Sequence, residues 1–377
     1  MEIKIERLDA SLKRDLLIFI KCQWNFYRND PNFVPPIISD RLHLLDIKKN
    51  PFYKHAKMQL FIARQNDSII GRIAAITNEE HNKTHSDNIG FFGFFECIDN
   101  NEVSKLLFSE AENWLKSQGK TAIRGPVNPS MNDEVALLSE GFDLPPILLM
   151  NYNPRYYEKL ILDAGLNQCK ELYAYRVTAE GFASDKLTRL QAVVCERNGI
   201  EIRQVDFKNK ENFKRDIETV KKIYNEAWVP NWGFVKLTDE EFDYFVADFK
   251  KIADPRLAII AYIRGRIAGM TLALPNINEF LIHNKSGSLL GAGYHLLTKK
   301  KKIQYMRIII LGVLPEFQKT GVDSVLYYEI GKRGGAAGFK FGEASWILED
   351  NTMMNRGLTQ TMNGELYKKY KLYEKLL

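Results

Sequence analysis

Residues 310–321, ILGVLPEFQKTG, place an apolar run directly before a proline, a short polar segment and a glycine. The run predicts a buried β-strand, and the stretch from Ser324 to Ala337 predicts a long helix after it. Free N–H groups at a helix start, together with the positive end of the helix dipole, favour a bound phosphate. Strand–loop–helix joints are also common where nothing binds, so both interpretations stay open from this stretch alone.

The chain contains a long internal repeat. A short alternating strand at residues 3–6 precedes a helical stretch at 11–28, and the same pair recurs at 200–203 and 211–228. Self-similarity over such a distance indicates two structural units of one plan rather than one large domain.

Two strands joined by a tight polar turn follow in each copy. They are predicted at 60–64 and 69–75 in the first copy, and at 257–262 and 267–271 in the second. A strand, a glycine-capped helix and a further strand then complete each copy.

We therefore predict an α/β fold of two tandem domains, residues 1–178 and 200–377. Each would be a mixed, mostly antiparallel sheet flanked by helices.

Composition excludes several classes of protein. The 377 residues are 45% hydrophobic and 27% charged, which argues against disorder, collagen and coiled coil. The net charge of +6 suits an anionic ligand, but the lysines are spread along the chain, so no nucleic-acid partner is predicted. Four separated cysteines and the lack of a signal sequence or a long apolar run predict a cytoplasmic protein, at most peripheral at the inner membrane.

Val313-Leu314-Pro315 followed by Gln318-Lys319-Thr320-Gly321 resembles the acyl-CoA-binding segment of the GNAT acyltransferase superfamily. The order of strands and helices in both copies is similar as well, so the resemblance covers nearly the whole chain. It implies an N-acyltransferase that uses acyl-CoA as a cosubstrate, with no permanently bound cofactor. The cofactor-binding residues that it implies are Leu311, Val313, Gln318, Lys319, Thr320, Gly321 and Asn351.

Two departures from the family pattern change these expectations. Asp323 replaces a small residue, so its carboxylate must point away from the phosphates, or pantetheine must supply most of the affinity, or an acyl carrier protein must bring the acyl group. The first copy has no Gln-x-x-Gly in residues 96–101. We expect that copy to build the acceptor side and not to hold CoA.

Residues 90–96, 124–129 and 345–351 resemble a bacterial group of tandem GNAT proteins that includes ceramide synthases, which N-acylate a long-chain base. This resemblance implies a lipid amine as acceptor. An aminoacyl-tRNA-dependent transferase of the Fem type and a non-catalytic acyl-CoA sensor are the alternatives.

Amine attack on a thioester needs a base, and the departing thiolate needs an acid. The segment 125–146 is rich in amides and carboxylates, and it could bind the acceptor or be a solvated loop. Glu134 is the first candidate base and Glu349 the second, although either could be a charge at a helix start. Tyr367 is the candidate acid, because Leu358 occupies the position of the family's tyrosine, with core packing as the alternative. The candidate substrate-binding residues are Asn128, Asn132 and Asp143.

Two further patterns yield weaker predictions. His81 and His85 are four residues apart, but their polar neighbours favour a turn and no third ligand is near, so no metal site is predicted. Lys299–Lys302 is a basic run expected on a hairpin tip. It could be a solvated turn or could contact anionic lipid or an acyl carrier protein.

Overall fold

The computed structural model describes residues 2–299 and 302–377 and divides into two compact units. Unit 1 comprises Met1–Leu172, Asn278–Lys300 and Lys368–Leu377. Unit 2 comprises Tyr173–Ile277 and Lys301–Tyr367.

The predicted domain ranges, 1–178 and 200–377, stay a prediction about two copies of one plan. The compact units are less simple than these ranges, because two segments from the second half of the chain, 278–300 and 368–377, belong to unit 1.

Unit 1 contains a sheet in the order β1-β2-β3-β4-β5-β15, with β8 also paired to β15. Neighbouring strands are antiparallel except β4 and β5, which are parallel. Its core packs the sheet against α4 and α5. The elements up to the strand that leads into unit 2 are β1 (Ile3–Leu8), α1 (Lys13–Lys21), α2 (Ile38–Leu45), β2 (Ala56–Gln65), β3 (Ser68–Asn78), α3 (Glu79–His85), β4 (Ile89–Cys97), α4 (Asn101–Ser117), β5 (Ala122–Gly125), β6 (Val127–Asn128), β7 (Glu134–Val135), β8 (Leu137–Glu140), α5 (Tyr157–Asp163) and β9 (Asn167–Thr178).

Unit 2 repeats this plan, with strands in the order β14-β13-β12-β11-β10. Only β13 and β14 are parallel among these pairs. The remaining elements, of which α10 and α11 belong to unit 1, are α6 (Ala179–Phe182), α7 (Asp185–Asn198), β10 (Ile200–Gln204), α8 (Lys210–Ala227), α9 (Asp239–Ile252), β11 (Ala258–Ile263), β12 (Arg266–Pro275), α10 (Asn278–Leu281), α11 (Leu289–Lys299), β13 (Tyr305–Val313), α12 (Val322–Ala337), β14 (Phe341–Leu348), α13 (Thr352–Arg356) and β15 (Glu365–Leu376).

The predicted mixed sheet flanked by helices is confirmed in both units. The turn between β11 and β12 shows how local sequence produces an antiparallel pair. Arg264 and Gly265 in this turn both adopt positive φ angles, 48° and 76°. Such a pair of angles matches the twist of an antiparallel hairpin. At the far ends of α4 and α12, Gly119 and Gly338 lie in the left-handed region, as a helix stop requires.

The three C-terminal tyrosines lie in a strand. Tyr367, Tyr370 and Tyr373 have helical spacing, but they lie in strand β15. Tyr370 and Tyr373 are fully buried there, and so is Lys368. The Lys368 ammonium donates to the carbonyls of Leu144 (3.1 Å) and Pro145 (2.7 Å). In the sequence a lysine such as Lys368 is expected to be exposed to solvent. For this reason the sequence did not indicate strand β15.

Other local expectations were also wrong. The turn expected around His81 and His85 is helix α3, because the Asn78 side chain accepts from the His81 N–H and caps its start. Lys299 ends helix α11 and is not on a hairpin tip. Lys300 and Lys301 of the basic run lie outside the described residues.

Within residues 2–299 and 302–377, no helix combines the length and the apolar character that crossing a bilayer requires.

Candidate active site

The two parallel strands of unit 2 separate along their length. Pairing joins Tyr305–Ile308 of β13 to Phe341–Ala344 of β14. β13 continues to Val313 and β14 to Leu348 beyond this paired part. Where parallel neighbours separate, the backbone groups of 309–313 that face β14 become available to a ligand.

Two of the predicted cofactor-binding residues lie on this edge. Leu311 and Val313 are both half-buried, and their opposite edge is taken by Thr271 and Gly269 of β12. A ligand along this edge would extend the β-ladder by one strand. The edge also suits an oxyanion, because a fixed N–H can stabilise the charge that develops on a thioester carbonyl during attack.

The loop after β13 leads into helix α12. Lys319 and Gly321 adopt positive φ angles of 65° and 86°. Gly321 is the N-cap residue, and within the described chain no side chain caps this helix start. The first N–H groups of a helix have no intrahelical acceptor, so they favour an external anion. Gln318 and Lys319 are exposed beside them.

The equivalent helix start in unit 1 is already satisfied. The Asn100 side chain caps α4 by accepting from the N–H groups of Glu102 (2.8 Å) and Val103 (3.3 Å). Both helices have an acidic residue in the first turn, Glu102 in α4 and Asp323 in α12, so the side-chain cap is what distinguishes them. An anion at this helix start would have to displace the Asn100 cap. The contrast between the two copies favours phosphate binding in unit 2 alone.

Helix α7 packs behind the unit 2 loop. The Asn198 side-chain amide donates to the Thr320 carbonyl at 3.2 Å. A Cβ atom on Gly321 would lie 2.9 Å from a methyl group of Val194. Glycine is therefore required at 321 both for its backbone angle and for space. The Thr320 hydroxyl donates to the Phe317 carbonyl at 2.6 Å, so it is occupied within the loop.

Gly312 allows a tryptophan to cover β13. A Cβ atom at this position would come within 2.5 Å of two ring carbons of Trp228, the residue that follows α8. The strand and the indole can therefore be in contact only because residue 312 has no side chain. In this way Trp228 forms a wall on one face of the strand, close to its separated end.

The remaining unit 2 candidates lie near the end of β14. Glu349 is exposed just after the strand, and its backbone carbonyl accepts from the Asn355 side chain at 3.1 Å. The Asn351 side chain accepts from the Met354 N–H at 3.2 Å and so caps α13. Asp323 is exposed in the first turn of α12. This exposed position gives the carboxylate room to point into solvent. That is the first of the three alternatives that the sequence suggested for Asp323.

The Tyr367 hydroxyl donates to the Glu343 carboxylate. Glu343 and Ser345 are buried on β14, and the Ser345 hydroxyl also donates to Glu343, at 2.5 Å. The Arg307 guanidinium contacts the Ser345 hydroxyl oxygen at 2.9 Å. Tyr367 is therefore held in a polar network at the place where β13 and β14 begin to separate.

Three of the four unit 1 candidates, Asn128, Asn132 and Glu134, lie on a two-stranded hairpin. Asn128 of β6 is directly opposite Glu134 of β7. Glu134 forms an ion pair with Arg41 of α2 at 2.6 Å, and both side chains are partly exposed. Burial acts to lower the pKa of Arg41, but the attraction of Glu134 outweighs it and the pKa is raised. Asn132 lies in the turn of this hairpin, where its N–H donates to the Ser130 hydroxyl at 3.1 Å.

Two predicted substrate-binding residues have local partners. The Asn128 side chain accepts from the Phe94 N–H at 2.6 Å and donates to Asn151 at 3.1 Å. Phe94 has a φ of 51° within β4, so Asn128 satisfies a backbone group that the irregular strand leaves unpaired. Asp143 is 92% exposed at its side chain and pairs with Arg155 at 3.2 Å.

A buried charge network in unit 1 escaped the sequence interpretation. Glu96 accepts from Arg72 (3.2 Å), Gln23 (2.8 Å), Tyr27 (2.9 Å) and Tyr157 (2.8 Å). Burial raises the pKa of Glu96, while the Arg72 charge acts in the opposite direction. The one signal in the sequence was an acidic residue inside an otherwise apolar strand, which must find partners when it is buried.

The network occupies a position that is filled differently in unit 2. In unit 1, Gly71 of β3 is opposite Cys97, and in unit 2 Gly269 is opposite Val313. By this register Glu96 matches Gly312. At this place unit 1 has a carboxylate and its partners, whereas unit 2 has a glycine covered by Trp228.

Comparison with solved structures identifies the fold. The tandem GNAT protein from the clavulanic acid biosynthesis pathway matches with a TM-score of 0.57 and 11% identity, over 100% of this chain and 98% of that one. A GCN5-related N-acetyltransferase from Sphaerobacter thermophilus matches with a TM-score of 0.52 and 11% identity, over 99% and 95%. No protein-family model matches the chain.

Comparison with curated proteins identifies the family. The bacterial ceramide synthase of Caulobacter vibrioides is 33% identical over 376 residues, which cover 98% of this chain and 95% of the relative. The chain belongs to the tandem GNAT acyltransferases. A further relative is protein YghO of Escherichia coli, which is 34% identical over 371 residues. These residues cover 96% of this chain and 93% of the relative. As a tandem GNAT acyltransferase the protein is an enzyme, and its predicted family is confirmed.

Proposed function

We propose that this tandem GNAT acyltransferase is a cytoplasmic enzyme that transfers the acyl group of acyl-CoA to the amino group of a long-chain lipid amine. The open start of α12, set against the self-capped start of α4, carries the donor part of this proposal. The similarity to a ceramide synthase over nearly its full length supports the acceptor part.

In this proposal the donor binds to unit 2. The diphosphate of CoA would accept from the N–H groups at the start of α12, with Lys319 and Gln318 adding charge and polarity at the rim. Pantetheine would run along the free edge of Leu311 and Val313, so that the thioester carbonyl meets a backbone donor. Asn351 would act indirectly, by fixing the start of α13.

The reaction would form one C–N bond and break one C–S bond. The amine attacks the thioester carbonyl carbon, a carboxylate takes the proton that the nitrogen loses, and the thiolate leaves with a proton from an acid. We assign the base to Glu134, with Glu349 as the alternative, and the acid to Tyr367. The proposed acceptor-side residues remain Asn128, Asn132 and Asp143. Asn128 would act indirectly, by holding the geometry of β4.

A transfer assay tests this function. The purified protein is given a long-chain acyl-CoA and, in separate reactions, a long-chain base, spermidine, lysine or no amine. We expect equal amounts of free CoA thiol and N-acylated lipid with the long-chain base. Thiol release with spermidine but not with the lipid amine would contradict the acceptor assignment. Transfer from aminoacyl-tRNA or from acyl carrier protein, but not from acyl-CoA, would contradict the donor assignment.

Lys319→Glu should weaken the binding of a non-hydrolysable acyl-CoA analogue by about ten- to 100-fold. Reversing one charge next to a diphosphate at a partly solvated site costs roughly 1–3 kcal/mol. Because Lys319 already has a positive φ, replacement by glutamate leaves the backbone requirement unchanged. Isothermal titration calorimetry measures the Kd directly.

Lys340→Glu is the matched control, since Lys340 is an exposed lysine just beyond the other end of α12. It makes the same change in net charge, and we expect its Kd to stay within about twofold of the unmodified protein. Equal weakening by both variants would indicate a general charge effect and would remove the support for a phosphate site at α12. Gly321→Glu is less informative, because crowding against Val194 would also disturb the fold.

A further inference from the structure

Helix α11 presents an apolar face to solvent. Leu290, Tyr294 and Leu297 follow each other at i, i+4 and i+7, which places them on one side of the helix. They are 89%, 64% and 87% exposed, and the neighbouring Leu289 is 62% exposed. Ala292 on the opposite side is buried. The helix thus shows the reverse of the usual pattern, in which the large apolar side chains face the core.

The segment that carries α11 is fixed to unit 1 at its base. The Trp24 indole N–H donates to the Lys285 carbonyl at 2.8 Å, and the Ile38 N–H donates to the Gly287 carbonyl at 2.9 Å. The Asn278 side chain donates to the Pro146 carbonyl at 3.0 Å. These bonds hold both the start of the segment and the turn before α11, so the exposed face belongs to an anchored element.

The segment that carries this face is cationic. Lys285 precedes α11 and Lys299 ends it, while Glu279 is the one acidic residue of the sequence from 278 to 299. Burial lowers the pKa of His283, and the charge of Lys299 lowers it further, with smaller contributions from His295 and Lys285. The charges of both lysines therefore act on one side chain of this segment, His283.

We propose that α11 docks the protein on an anionic lipid bilayer, with Leu290, Tyr294 and Leu297 inserted at the headgroup boundary and Lys285 and Lys299 at the lipid phosphates. Apolar residues on one face and lysines elsewhere on the same segment are the features that bind an interfacial helix to anionic membranes. Membrane docking goes beyond the proposed function. It is linked to that function only because docking would bring the enzyme to a lipid acceptor.

The size of the face favours a bilayer over a protein partner. A helix of 11 residues is about 16 Å long and about 10 Å wide, so its outer face offers roughly 160 Å². A stable protein interface needs about 800 Å² from each partner. A bilayer has no such requirement, since it adapts to a small face and adds charge attraction over a wide area.

Vesicle co-sedimentation tests the proposal without any turnover. Phosphatidylcholine vesicles with 30 mol% phosphatidylglycerol, or with none, are mixed with the full-length protein in low salt. We expect binding to the anionic vesicles that weakens at high salt, and at least tenfold weaker binding to the neutral ones. Leu290→Ser/Leu297→Ser should lower the partition coefficient about 30-fold, and Lys299→Glu about fivefold on anionic vesicles alone.

Leu106→Ser/Leu162→Ser is the matched control, because both leucines are exposed on other helices of unit 1. We expect it to bind vesicles as the unmodified protein does. Lack of binding to anionic vesicles, or equal binding by the α11 variant, would overturn the proposal. So would a dimer that the α11 substitutions convert to monomer in light scattering, since the face would then be a protein interface. Acyl transfer to a long-chain base in detergent micelles, without vesicles, is measured separately, so failure of docking and failure of the proposed function are distinguishable.

Discussion

Glu134→Gln should lower the turnover number for N-acyl transfer about 10²- to 10⁴-fold while leaving the Kd for acyl-CoA unchanged within about twofold. A positioned base typically contributes this much to a reaction in which a nucleophile must lose a proton. Glutamine keeps the size of the side chain and can still accept a hydrogen bond from Arg41 through Oε1, the atom that Arg41 contacts at 2.6 Å. Single-turnover kinetics at saturating acyl-CoA measures the effect on the chemical step.

Two further variants separate a base from a structural anchor. Glu140→Gln removes a carboxylate from the nearby strand β8, where it pairs with Lys369 at 2.9 Å, and we expect it to be nearly silent. Arg41→Gln removes the partner of Glu134. If Glu134 served only to hold Arg41, Arg41→Gln would slow turnover at least as much as Glu134→Gln. Full activity of Glu134→Gln together with a large loss in Glu349→Gln would move the base to the end of β14.

Arg72→Met should destabilise the protein by about 3–5 kcal/mol, because it leaves the Glu96 carboxylate buried without its opposite charge. The side chains of Arg72 and Glu96 are each only 5% exposed. Met270, which lies next to Gly269 as Arg72 lies next to Gly71, shows that a methionine fits this position of the plan and is buried there. Urea denaturation followed by tryptophan fluorescence measures the loss.

The control is Arg64→Met, which breaks a partly exposed ion pair with Glu6 and should cost no more than about 1 kcal/mol. Arg72→Met/Glu96→Gln should be more stable than Arg72→Met alone, since the uncompensated charge is gone. Without Arg72 the folded-state pKa of Glu96 rises further, so the carboxyl keeps its proton at low pH. The deficit should therefore be smaller at pH 5 than at pH 8, and a deficit independent of pH would contradict this explanation.

The repeated architecture could be predicted from the sequence because its signals are local. Short apolar runs define β2, β3, β11 and β12, and turn residues such as Gly265 define where each hairpin reverses. The loop between β13 and α12 could also be predicted, since a proline and a glycine delimit it. These features depend on neighbours within a few residues, which a single sequence displays.

The parts that could not be predicted depend on partners distant in the sequence. In the sequence Asn128 appeared free to bind a substrate, but its side chain accepts a hydrogen bond from the Phe94 N–H. No sequence pattern indicated that Phe94 has a positive φ. Glu96 gathers partners from as far away as Gln23 and Tyr157. The membership of α11 in unit 1 rests on backbone contacts such as that between Ile38 and Gly287, which leave no trace in local periodicity.

Hydrogen–deuterium exchange with saturating acyl-CoA analogue tests most directly where the thioester carrier sits. With saturation verified by a rise in melting temperature, slower exchange is expected for amides 309–313 and 318–323. Amides 98–103, the equivalent joint of unit 1, serve as the internal reference and should exchange as before. Unchanged exchange at 318–323, or protection at 98–103 instead, would contradict the placement of the donor.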